Sequence, residues 1–159
     1  MIVEMNDRTP TGYRFHHVGV GTMEFDVGIN AYRTMGLSLL TRVNDPGLRV
    51  QVAFLSAGSA ASPLVEILAP LGEDGPLASL IRRRMLPTPY HVAFSVPDLS
   101  ERTGQLVAQG YLSLGDPKPA RAMCGAQIQF LFHRGIGLVE LIEENDEGRV
   151  ALAGVEPTS

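Results

Sequence analysis

Apolar runs of strand length recur along the chain at 15–21, 49–55, 64–68, 91–96, 126–132 and 138–142, each bounded by Gly, Pro, Asp or Asn. Such runs read as β-strands. Three segments carry helical spacing instead, over 24–35, 76–85 and 98–109, and short strands are predicted at 37–42 and 111–114 after the first and third of them. Asp98 is a natural N-cap, and Gly36 and Gly110 stand where helix-ending glycines belong. The polar or small-residue segments 1–11 and 145–159 show no such pattern and are expected to be poorly ordered.

The pattern repeats. Sliding the chain against itself by 74 residues places His17 on His91, Gly36 on Gly110 and Glu66 on Glu140. The neighbours agree: Leu64-Val65-Glu66-Ile67-Leu68 meets Leu138-Val139-Glu140-Leu141-Ile142, and Gly36-Leu37-Ser38-Leu39-Leu40 meets Gly110-Tyr111-Leu112-Ser113-Leu114. One offset fits all blocks without a gap, so the unit is strand, helix and three strands, used twice. Half of such a fold could not bury its sheet face alone. The prediction is an α+β domain in which two paired βαβββ modules form an open curved sheet, a cup with helices outside. A flexible tail covers 1–12, the first module 13–72, a connecting helix 73–89, the second module 90–144 and a C-terminal tail 145–159.

Alternate residues of a strand share a face. His17 then lies with Phe15, Gly19 and Gly21, His91 lies with Ala93 and Ser95, and His16 faces away. A histidine in a strand is ordinarily a hydrogen-bonded imidazole of the core. A glutamate inside five apolar residues has no such ordinary role, because a buried carboxylate must pair, bind a cation or take up a proton. Two repeat-equivalent glutamates matched to two repeat-equivalent histidines therefore predict one converging site at His17, Glu66, His91 and Glu140. That donor set suits a divalent ion of the Zn, Co, Ni, Mn or Fe kind. Its chemistry would be Lewis-acid polarisation of a bound carbonyl, with a carboxylate beside it to move a proton.

Composition narrows the class further. A hydrophobic share of 45% is too high for disorder, and no apolar run approaches the roughly 18 residues of a membrane span. Glu4, Asp7 and Arg8 make the first ten residues unlike a secretory signal, so a cytoplasmic location is the default expectation. The lone Cys124 excludes an intramolecular disulfide framework and a multi-thiolate zinc site, and it has no paired base that would make it a nucleophile. A net charge of -4 argues against nucleic acid as a partner. Arg82, Arg83 and Arg84, the one basic run, read as the solvated face of a helix.

With these residues in place, the chain resembles the vicinal oxygen chelate superfamily, which includes glyoxalase I, methylmalonyl-CoA epimerase, extradiol dioxygenases and bleomycin-resistance proteins. The likeness spans about 13–144 and is greatest to the epimerase branch. It is carried by His-His-Val-Gly-Val at 16–20, Val-Glu-Ile-Leu-Ala-Pro-Leu at 65–71, Tyr-His-Val-Ala-Phe-Ser-Val-Pro-Asp-Leu at 90–99 and Gly-Leu-Val-Glu-Leu at 137–141. Position by position, the resemblance implies metal ligation by His17, Glu66, His91 and Glu140, and a cup of paired βαβββ modules. It also implies a homodimer acting on a small-molecule substrate. A fourth ligand at Glu66 counts against dioxygenase chemistry, and the presence of ligands counts against pure drug sequestration.

The resemblance thus implies metal-assisted proton transfer next to a carbonyl, epimerisation first, with Glu140 and Glu66 as the groups that move the proton. Alternatives are a glyoxalase-type lyase, a tailoring enzyme of secondary metabolism, and a metal-free binding protein on the same fold. Two departures keep them open: the hairpin at 130–137 is shorter than the epimerase one and lacks its proline and lysine, and Gln51 stands where epimerases can carry a catalytic glutamate. Gln51, Phe54, Ser95, Phe130 and Arg121 are the residues expected to meet the substrate, with Pro117 to Arg121 as a segment able to close over the cup. Strand aromatics serve equally well as core, and His133 suits either the site or a surface hairpin.

Overall fold

The computed structural model describes residues 12–58, 63–84 and 87–155. Its elements run β1 (Arg14–Gly21), α1 (Phe25–Thr34), β2 (Ser38–Asp45), β3 (Val50–Ser56), β4 (Leu64–Pro70), α2 (Pro76–Arg84) and β5 (Thr88–Val96). They continue α3 (Leu99–Ala108), β6 (Leu112–Ser113), β7 (Lys118–Ala120), a 3-10 turn at Arg121–Met123, β8 (Ala126–His133) and β9 (Gly137–Glu143). The predicted repeat is visible in the boundaries: α1 and α3 begin at 25 and 99, β2 and β6 at 38 and 112. The predicted caps also form. Asp98 accepts the Glu101 N–H at 2.8 Å, and Gly36 and Gly110 turn the chain out of their helices at φ +91° and +95°.

The strands make one sheet in the order β2-β3-β4-β1-β5-β9-β8-β6, with β7 also on β8. Within each half the first strand lies parallel to the last, β1 on β4 and β5 on β9. The halves meet where β1 pairs antiparallel with β5. The α+β, two-module expectation therefore holds. In the second half the edge breaks into the short β6 and β7, because Gly115 adopts φ +90° and Pro117 has no N–H to pair.

Apolar residues on the convex face receive α1 and α3. Phe25 and Ile29 pack on Ala53, Leu55 and Ile67, while Leu99 packs on Val96, Leu131 and Leu141. The third helix departs from the expectation of helices outside. The buried stripe of α2, Leu77, Ala78 and Ile81, lies on the concave side with Val52, Phe54 and Leu68. Gly21 makes this possible, since a Cβ there would stand 2.8 Å from Leu77. The basic residues Arg82, Arg83 and Arg84 remain exposed on its last turn.

The expectation of a loose C-terminal tail also needs correcting over 145–155. Val150 and Leu152 pack against the concave cluster, and the Ala153 N–H donates to Ala122 O at 2.9 Å. Thr41 Oγ1 donates in turn to Ala153 O. Small and polar residues hid a segment that docks through Val150, Leu152 and the backbone of Ala153. The segments 1–11 and 156–159 lie outside the described residues. No described helix is long and apolar enough to cross a membrane.

This segment and the 3-10 turn bridge the two ends of the sheet. Asp45, 2% exposed at the end of β2, accepts the Leu48 N–H at 3.1 Å and the Arg121 N–H at 2.8 Å. Replacing Asp45 by Ala leaves a part-buried N–H on each side without its acceptor. We expect it to destabilise the protein by about 1–3 kcal/mol in urea unfolding, with the larger part recovered in Asp45→Asn, which keeps one acceptor.

Candidate metal centre

The register of the central strands builds the site in two rows across the sheet. One row runs Phe54, Glu66, Gly19, His91, and the other Phe130, Glu140, Ala93, His17. Cross-strand neighbours present side chains on the same face, so each row delivers one imidazole and one carboxylate to the concave side. Each ring is packed edge-on by a phenylalanine, His17 by Phe54 at 5.0 Å between centroids and His91 by Phe130 at 5.4 Å. Within this chain, the pairing of β1 with β5 brings the four ligand candidates together.

Their donor atoms face one another at close range. The two Nε2 atoms are 2.9 Å apart, and Glu66 Oε2 and Glu140 Oε2 each lie 3.1 Å from both of them. All four residues are buried, His17 completely. Neither Oε2 has an aligned N–H to accept. The atoms converge on a common point instead of forming ordinary pairs.

That arrangement fits a bound divalent cation. Ligands at right angles with bonds of about 2.1 Å stand about 3 Å apart, the spacing seen here. Two imidazole nitrogens and two carboxylate oxygens are donors of the right kind, and two carboxylate charges match a dication. With protons in place of the cation, burial opposes charge on His91, yet the nearby charges of Glu140 and Glu66 push it up to about 10. His17 is raised by the same balance. Burial likewise works against ionisation of Glu140 and Glu66, but the imidazoles hold both below the usual carboxylate range.

Three residues outside the expected set, His16, Tyr90 and Gly19, complete the surroundings. The sequence reading turned His16 away from His17, and the structure turns it in. A bulge in the β1–β5 pairing lies between Phe15 and His17, which breaks the alternation. Phe15 consequently packs on Phe94 at 5.9 Å, not beside His17 as expected. His16 Nδ1 comes to 2.7 Å from His17 Nδ1, and burial with the nearby His17 lowers its pKa to about 4. A second irregularity lies at the repeat-equivalent Tyr90, whose ring stands 5.3 Å from that of His91. Burial and the two glutamate charges raise the phenol's pKa, so it stays protonated.

Gly19 is the third of these residues. A Cβ on it would stand 2.4 Å from the His91 ring, so only glycine leaves the imidazole its seat. The adjacent pair of histidines and the glycine two residues after His17 were visible in the sequence. The bulge that turns His16 inward and the register that sets Gly19 against His91 were not.

A cavity of about 330 Å³ opens beside the cluster, with Glu66, His91, Glu140 and Tyr90 in its wall. Val50, Val52, Leu68, Met123 and Ile128 make most of the rest apolar, and Arg49, Lys118, Asp45 and Asp116 also line it. Among the residues expected to meet substrate, Phe130 lines this cavity and Phe54 is buried beneath His17. The other three are placed elsewhere. Gln51 lies on the opposite face of β3 from Val50 and Val52, donating to Asn44 Oδ1 at 3.2 Å. Ser95 donates to Glu144 Oε1 at 2.8 Å at the far end of β5. Arg121 binds β2 through its backbone N–H and through its guanidinium to Asn44 O. Within its segment, Lys118–Ala120 is the strand β7, fixed on β8. His133 belongs to the β8–β9 hairpin, stacked near Tyr111 at 4.6 Å.

Two βαβββ halves joined across a central antiparallel pair, with a histidine–glutamate cluster at the seam, define a two-module cup with a candidate metal centre. The chain belongs to the Glyoxalase/Bleomycin resistance protein/Dioxygenase superfamily, the vicinal oxygen chelate group, whose family model matches residues 16–132. It is 26% identical over 131 residues to the ethylmalonyl-CoA/methylmalonyl-CoA epimerase of Cereibacter sphaeroides, covering 80% of this chain and 96% of that protein. It is 28% identical over 131 residues to the mitochondrial methylmalonyl-CoA epimerase of Mus musculus, covering 80% and 71%. The crystal structure of methylmalonyl-CoA epimerase from Mycobacterium tuberculosis superposes with a TM-score of 0.72 at 27% identity, covering 86% of this chain and 90% of that one.

Two outcomes follow from the geometry. Gly19→Ala should displace the His91 ring and weaken divalent-metal binding by about tenfold or more in a chelator competition, while circular dichroism stays that of the wild type. Metal uptake at pH 8 should release protons, read as a dependence of calorimetric binding heat on buffer ionisation enthalpy. The sign is set by His91: with a pKa near 10 it is protonated at pH 8 without a cation, and an imidazole must be neutral to ligate.

Proposed function

We propose that this protein is a divalent-metal-dependent isomerase of the epimerase type, which moves a proton at the carbon next to a carbonyl. The observation that carries the reading is the pair of buried, repeat-related carboxylates. Glu66 and Glu140 stand on β4 and β9, the strands that flank the histidine strands on opposite sides. Inverting a carbon centre requires taking a proton from one face and returning one to the other, a task suited to two opposed carboxylates. Ionised in the metal-free site, each is an acceptor before any substrate arrives.

His17, Glu66, His91 and Glu140 would hold the cation. When bound, a divalent ion supplies Lewis-acid stabilisation of the negative charge that develops on a carbonyl oxygen. The chain does the rest: the apolar wall excludes water from a carbanionic centre, Tyr90 offers a protonated hydroxyl in that wall, and the carboxylates take and return the proton. The names of the relatives make a 2-carboxyacyl-CoA the first substrate to try. We further propose a cytoplasmic homodimer. The apolar pair Leu112 and Phe132 is exposed across the β6–β8 edge and supports association there.

A second reading, a glyoxalase-type proton shift between adjacent carbons, is favoured by the outward placement of Gln51. No glutamate on β3 adds a further base, and a shift along one face needs a single carboxylate.

Deuterium exchange at the α-carbon of methylmalonyl-CoA in heavy water tests the proposal. Exchange is expected from protein purified without chelator and then loaded with Co or Zn. It should fall by about 10²–10⁴ in Glu140→Gln. Exchange that persists undiminished in metal-stripped protein would sink the metal-dependent reading. Turnover of an α-hydroxycarbonyl substrate without exchange of the thioester would shift the assignment to the second.

A further inference from the structure

We propose that His16 is a positioning residue which locks His17 into the form able to ligate through Nε2, so that the two imidazoles of the site are held by different means. The inference rests on the metal reading given above and concerns this chain's own residues. A neutral imidazole that offers the Nε2 lone pair must carry its proton on Nδ1. His17 Nδ1 is 2.7 Å from His16 Nδ1, so the His17 N–H donates there and His16 accepts, keeping its own proton on Nε2. The bulge between Phe15 and His17 is what brings two consecutive side chains to the same side. His16 is held there by packing, its ring 5.0 Å from that of His17 and 6.0 Å from Phe54.

The second module has no equivalent. The repeat places Tyr90 where His16 stands, and the Tyr90 ring lies toward Phe130 at 6.3 Å. Among the described residues, His91 Nδ1 is buried without a hydrogen-bond partner. His91 is instead fixed sterically, seated over Gly19 and packed by Phe130. A duplicated fold thus carries one ligand oriented by a hydrogen bond and one oriented by shape. Partners of this kind on a ligating imidazole typically change metal affinity by about 10–100-fold.

The test is competition for Zn between the full-length protein and a chromophoric chelator, with His16→Phe and His16→Asn beside the wild type. The Phe variant keeps the ring but has no acceptor and should bind about 10–100-fold more weakly. The Asn variant places Oδ1 near the former Nδ1 and should recover affinity to within about fivefold of wild type. Long-range nitrogen–proton NMR of the zinc-loaded wild type should show His17 protonated at Nδ1 and His16 at Nε2. A Phe variant within about twofold of wild type, an Asn variant as weak as Phe, or the opposite tautomers would each overturn the inference. Should the Phe variant fail to fold, the wild-type tautomers and the Asn variant still decide. A wild type that takes up no divalent ion would instead remove the metal reading itself.

Discussion

The antiparallel register of β1 on β5 is the constraint on which the rest of the molecule depends. It sets Gly19 against His91 and Ala93 against His17, so each imidazole lies over a residue with little or no side chain from the other half. Parallel pairing of β4 and β9 outside them then brings one glutamate to each row. A shift of one residue would turn all of these side chains to the other face. The cup, its cavity and the four converging donors are consequences of this one pairing.

The cluster imposes its own demands on the surroundings. Two carboxylates and two imidazoles removed from water are tolerable only when their charges are balanced at short range. The apolar wall sharpens that requirement and would sharpen any electrostatic effect on a bound carbonyl. It also explains why the fold spends structure on closing the cup: α2 on the concave side, Asp45 tying β2 to the 3-10 turn, and residues 145–155 packed across both. Glu66 and Glu140, two of the 17 acidic residues in the chain, are therefore buried in the cluster and add nothing to the surface charge.

The two halves keep one architecture while differing where the chemistry is. The edge of the first is a full β2, whereas Gly115 and Pro117 divide that of the second. Phe54 and Phe130 play the same part against the two histidines although the 74-residue offset does not pair them, because the β8–β9 hairpin is shorter than the β3–β4 connection. His16 and Tyr90 do pair by the offset, yet one reaches a ligand nitrogen and the other enters the cavity wall.

Local pattern was enough to read the three helices and every strand but β7, the Asp98 cap, the terminating glycines, the duplication and the four buried ligand candidates. Each depends on periodicity, on a residue with a single conformational role, or on a charge that could not sit unpaired in an apolar strand. Tertiary structure alone decided the inward turn of His16, the outward face of Gln51, the partners of Ser95 and Arg121, and the docking of residues 145–155. These depend on bulges, on cross-strand register and on contacts between residues as far apart as Thr41 and Ala153. A bulge shifts the alternation of a strand by one residue without any mark in its composition, and a distant partner leaves no trace in local spacing. The four ligand candidates stood out in the sequence by their burial and repetition, whereas the residues that surround and orient them depend on register and bulges.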